Sequence, residues 1–154
     1  DADRFVRAAS HFEQGRAAAQ RARTRTNELG SEPAALASDL WALGIHEFAL
    51  GRLEAAQTAF VEGLHAARAA AQAAGEPTTV TPDGSFLVLL LAGKLGLVKE
   101  AAKDPRGSEE AAAAESALQA WANDPSDPTR QASGELGLKQ LQETRRLLVS
   151  QPPG

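Results

Sequence analysis

The stretch that decides the fold is Trp41 to Phe60, WALGIHEFALGRLEAAQTAF. It holds an adjacent histidine and glutamate, two glycines and three large aromatics, and it ends in an Ala-rich run. Apolar residues recur beyond it at three-to-four-residue steps, Leu53, Ala56, Phe60, Gly63, Leu64 and Ala67, and no proline intervenes from Arg52 to Ala74. That period predicts a long helix after Gly51. Before Gly51, Asp39 is placed to cap a helix through Trp41 and Phe48. Glycine between the two is the residue that ends a helix in a left-handed conformation at least cost, so the stretch reads as two antiparallel helices around a corner.

Two other segments share this corner. HFEQGRAAAQ from His11 and LLLAGKLGLVKEA from Leu89 carry, like EFALGRLEAAQ from Glu47, an apolar residue, two spacers, a glycine and then Arg or Lys. The glycines are Gly15, Gly51 and Gly93, spaced by 36 and 42 residues. The first spacing also carries Asp3 onto Asp39, Phe5 onto Trp41, Phe12 onto Phe48, Arg16 onto Arg52 and Ala19 onto Ala55. Coincidence at that many positions exceeds what Ala-rich composition supplies, and a period of this length is the signature of a repeat architecture. Each corner is expected to bend one helix back on the next.

These residues resemble the tetratricopeptide repeat family, whose helix-turn-helix units stack into a solenoid. The likeness is strongest in the middle unit, where Leu43-Gly44 is followed by Gly51, Ala56, Phe60 and Gly63-Leu64. The first unit has Gln20 and Thr24, and the third Val98 and Ala102, where the middle unit has Ala56 and Phe60. The resemblance implies an all-α fold of about three antiparallel helical hairpins (about 1–36, 37–74 and 85–103) with C-terminal capping helices (about 108–122 and 128–149). A single domain over 1–154 is expected from a length of 154 residues. It further implies a protein-protein interaction module that binds a peptide or a helical segment. Its ligand-facing positions fall on Trp41, Ile45 and Phe48, with Phe5, Ala9 and Phe12 as their counterparts in the first unit. Counted from Gly51, one frame of the middle helix lines an inner groove with Trp41, Ile45 and Phe48; counted from Trp41, the other puts Trp41 and Phe48 in the core. Aromatics at helical spacing usually serve packing.

Loops separate these elements. GEPTTVTPDGS (75–85) holds two prolines and an Asp-Gly turn, DPRGS follows from Asp104, and NDPSDP follows from Asn123. Ser31 before Pro33 and Asp127 before Pro128 read as helix starts, and Ser85 and Ser108 as further caps. A β-hairpin over TVTPDGSFLVLL is the alternative for that segment. The leucine content and the echo of ALGRL in LAGKL favour a buried helix.

Composition narrows function. Sixteen Lys and Arg against twenty Asp and Glu give a charge of -4, which provides no general attraction for nucleic acid or anionic membrane. No cysteine is present, so disulfides and thiolate chemistry are excluded while the compartment stays open. The longest apolar run, Phe86 to Ala92, is too short to cross a bilayer, and a soluble product is expected. The chain does not open on Met, as a processed protein or an excised domain would not.

The motifs of chemistry are incomplete. His46-Glu47 lacks the second histidine one turn on that a zinc-protease helix needs, since Leu50 stands there. AGKLG near Gly93 has Val88 and Leu95 where a phosphate loop needs a glycine and a hydroxyl. Arg21, Arg23 and Arg25 form the one basic cluster, without aromatics for base stacking. The reading is therefore a non-enzymatic scaffold with no metal or cofactor and with a protein or peptide partner. No nucleic-acid binding or membrane insertion is expected, and a homodimer through Ala-rich terminal faces is open. The alternative is a helical ligand-binding or enzyme domain with a pocket near His46 and Glu47.

Overall fold

The computed structural model describes residues 10, 13–21, 24 and 33–150, with side chains to 148. Among the described residues the fold is all-α, with no strand. A helical segment at 13–21 (α1) precedes α2 (Pro33–Ala49), α3 (Leu53–Ala73), α4 (Phe86–Ala101), α5 (Arg106–Ala122) and α6 (Pro128–Ser150). The chain divides into two compact units, Asp1–Ala70 and Ala71–Gly154.

In the first unit the corner at Gly51 forms as the sequence predicts. Gly51 has φ of +77°, its N–H donates to the Phe48 carbonyl at 3.0 Å, and the Arg52 N–H donates to the Glu47 carbonyl at 2.9 Å. This pair of bonds closes the end of α2 around a left-handed residue. The chain then returns, because the Phe60 ring lies against Gly44: a β-carbon at Gly44 would stand 2.5 Å from Phe60 Cε1. Phe48 and Phe60 are fully buried, and Ala19, Leu40, Leu43 and Ala59 form one cluster with Leu36 and Ala42 packed on it.

Three expectations are corrected here. Gly15 lies within helical residues 13–21, and Gly93 lies inside α4; neither is a bend. Each glycine serves close approach instead of a left-handed turn. The His46 ring occupies the space of a Gly15 β-carbon, and Leu141 Cδ1 lies 2.8 Å from where a Gly93 β-carbon would stand. The segment 85–103 is accordingly one helix, not a hairpin. Asp39 does not cap α2, which opens six residues earlier at Pro33; a first-turn proline sets the start there.

The second unit holds three helices. Ser85 caps α4, accepting from the Val88 N–H at 3.4 Å, and every residue from Val88 to Val98 is buried, as an almost wholly apolar helix requires. Just beyond the helix end at Ala101, Lys103 takes φ of 69° without being glycine. Gly96 and Gly107 let α4 and α5 touch backbone to backbone: a β-carbon at Gly96 would be 2.5 Å from the Ala111 nitrogen and 2.9 Å from the Gly107 carbonyl. Lys99 joins the same two helices through Glu110 at 2.9 Å. Ser108 lies in the first turn of α5 and does not cap it. The cap of α6 is Asp127, whose Oδ1 accepts from the Arg130 N–H at 3.1 Å.

Candidate functional site

Three places gather side chains with chemical capacity. The first is the end of α2. Helical neighbours diverge by about 100°, and His46 and Glu47 turn to different partners. The half-buried His46 ring rests on Gly15. Glu47, only 5% exposed, lies between two arginines: Arg16 Nη1 is 3.4 Å from its Oε1 and Arg52 Nη1 is 3.7 Å from its Oε2. Glu13 completes the ring, bonded to Arg16 at 2.5 Å and 3.8 Å from Arg52. The Arg16 hydrogen bond holds the Glu13 carboxyl below the usual range, and the same contact raises Arg16. Glu47 Oε2 accepts no hydrogen bond, so charge compensation at ion-pair distance is what offsets its burial. The sequence marked Arg16 and Arg52 as equivalents 36 residues apart. That both reach one glutamate was not visible in their spacing.

On α2, the residues expected to face a partner separate by burial. Phe48 is fully buried and belongs to the core, together with Leu40, Leu43 and Gly44, whereas Trp41 and Ile45 are half-buried. Trp41 and Ile45 stand one turn apart and share a face, forming an apolar ledge beside the buried stripe. Phe5, Ala9 and Phe12 lie outside the described residues.

A third place is the α5–α6 corner in the second unit. Trp121 Nε1 donates to the Pro82 carbonyl at 2.6 Å, and Arg130 Nη2 donates to the same oxygen. The Arg130 guanidinium lies 4.4 Å from the Trp121 ring centroid, in cation–π range, and Phe86 stacks on the indole at 6.1 Å. A depression of about 370 Å³ opens beside them, bordered by Asp83 and Asp124 among others. Asp124 is lowered by its hydrogen bonds to Ser126, with Arg130 adding to the effect. Trp121, Arg130 and Asp124 already have partners. The corner therefore fastens the 75–85 loop to the helices.

One charged residue escaped the sequence reading. Lys94 is fully buried and donates to Thr144 Oγ1 on α6 at 3.0 Å. Burial pushes its amine down to about 8, with Glu143 opposing the shift. The signal was present, since Lys94 interrupts an apolar run that leaves its helix no polar face. Of the basic cluster, Arg21 is exposed, and Arg23 and Arg25 fall outside the described residues. Among the described residues no three metal-binding side chains converge, and no helix is long and apolar enough to cross a membrane.

No protein-family model matches the chain, and no curated protein and no solved structure matches it either.

Proposed function

We propose that this chain is a non-enzymatic protein-interaction module, in which the α2–α3 hairpin is a tetratricopeptide-like unit and a peptide or helix of a partner docks on α2. The observation that carries this reading is the Trp41–Ile45 ledge. Two large apolar side chains, half-buried and one turn apart, offer a partner area that water presently meets, and burying it is the ordinary source of affinity in helix-in-groove recognition. The hairpin beneath supplies rigidity through the Gly51 closure and the seating of Phe60 on Gly44.

A ligand or catalytic pocket at His46 and Glu47 has less support. Both Glu47 oxygens lie at ion-pair distance from guanidiniums, an arrangement that occupies a carboxylate with structure rather than leaving it to move protons.

The test uses peptides selected from a displayed library for binding to the whole chain. Ile45→Glu is expected to weaken their binding at least about tenfold, a change of about 1.4 kcal/mol, with helix content unchanged by circular dichroism. Trp41→Ala is expected to weaken it as well. Selected peptides that bind both variants as tightly as the wild type would overturn the α2 assignment.

A further inference from the structure

A second surface, independent of the α2 ledge, runs along α3. Glu54, Thr58, Val61, His65 and Arg68 follow one another at steps of four and three residues, and all five are exposed. Such steps place them in one stripe down the helix, about 21 Å long at 1.5 Å per residue. Val61 stands at its middle, 47% exposed. The stripe is acidic at the N-terminal end and basic at the C-terminal end, with Glu54 and Arg68 each seven residues from Val61.

That order is self-complementary under a two-fold rotation. If a second α3 lies antiparallel with the axis at Val61, Glu54 meets Arg68 of the other copy at both ends, Thr58 falls within one residue of His65, and Val61 meets its own counterpart. An isologous contact demands this kind of pattern, because every residue must suit the residue that the rotation brings opposite it. We propose that α3 is a self-association face, and that its occupant is a second copy of this chain packed antiparallel about Val61.

The neighbouring surface suits a helical visitor. A shallow depression of about 670 Å³ borders Glu54, Ala55, Gln57, Thr58, Val61 and Glu62, and the small side chains of Ala55 and Thr58 allow close approach. Arg68 and Glu62 already have an interaction within their own chain; a guanidinium has five donors and serves more than one acceptor. The two Glu62 side chains fall beside the axis and oppose each other, which keeps the association weak. Charge pairs and one valine per copy set its register more than its strength.

Charge exchange tests this register. Sedimentation equilibrium of the wild type over about a hundredfold range of concentration, reaching the millimolar range, is expected to show a monomer–dimer equilibrium. Glu54→Arg or Arg68→Glu alone puts like charges opposite each other at both ends of the contact and is expected to weaken it about tenfold. The double variant E54R/R68E restores opposite pairs and is expected to return close to the wild-type constant. Because the chain has no cysteine, Val61→Cys is expected to give a disulfide-linked dimer on mild oxidation, without background. Circular dichroism of each variant verifies the fold. A wild type that stays monomeric throughout, a double variant as weak as the single ones, or a V61C chain that remains uncrosslinked at dimer-forming concentration would each overturn the proposal.

Discussion

Replacing Lys94 by methionine is expected to stabilise the helical unit in which it is buried. The lysine side chain is fully enclosed, with Thr144 Oγ1 at 3.0 Å and the Glu143 charge as the opposing influence on its amine. Burial lowers the amine to about 8, whereas an unfolded chain binds that proton up to about 10.4. Between those values the unfolded state holds more protons than the folded state, so stability rises with pH across this window. Below about pH 8 the amine is charged in both states and the slope vanishes, leaving the burial penalty at its full size of about 3 kcal/mol. Methionine keeps the length of the side chain, carries no charge, and gives up one hydrogen bond of about 1 kcal/mol. Thr144 retains its own bond to the Gln140 carbonyl at 3.0 Å. The net gain at pH 7 is therefore about 2 kcal/mol, shrinking as the pH approaches 10. Urea titrations followed by helix ellipticity at pH 7, 8, 9 and 10 measure it. The chain lacks Tyr and Cys, so neither residue type titrates in that window. Equal pH slopes for wild type and Lys94→Met, or a variant less stable at pH 7, would refute the reasoning. Glu143→Gln supplies a control of opposite sense, since removing the carboxylate is expected to lower the amine further and widen the window.

Gly51→Ala is expected to cost about 1–2 kcal/mol in the same titrations, and because nothing lies within 4 Å of the new β-carbon the loss is one of backbone conformation alone. Lys103→Gly is expected to move stability the other way by about 1 kcal/mol, since a side chain already occupies the left-handed region there. Gly44→Ala is expected to destabilise by about 1–3 kcal/mol through contact with the Phe60 ring, with partial recovery when Phe60→Leu is added. Glu47→Gln is expected to lower stability by about 1–2 kcal/mol, because it removes the buried carboxylate that both guanidiniums approach and leaves Glu13, at the ring's exposed side, to compensate the two of them. Thermal melts that show no change for the last variant would remove the ion ring from the account of the α2 end.

The helices were legible where period and punctuation agreed. Pro33, Ser85 and Asp127 start helices and Gly51 ends one because these residues act through their own backbone, within reach of a few neighbours. Gly15 and Gly93 shared the letters around Gly51 but not its conformation. A glycine is chosen either for its dihedral angles or for the space it leaves, and only the partner across the gap, His46 or Leu141, tells which. The same limit applies to charges. Glu47 stood in the sequence beside His46 as part of an alternative pocket, with nothing to announce Arg16 and Arg52 around it, and Lys94 stood after Gly93 in the third corner motif, with nothing to announce Thr144. Those partners stand 31, 5 and 50 residues away along the chain, and helical period carries no information over the longer of these distances.

The contact of Gly96 with Gly107 has a consequence for how this chain can diversify. Where two peptide planes touch, no side chain of any kind is tolerated on either, so both positions are closed to drift, while the leucines that flank Gly96 can give way to other apolar residues of similar volume at modest cost. Kin of this protein are then to be sought by two glycines eleven residues apart across a helix end, a fingerprint that aromatic spacing does not contain.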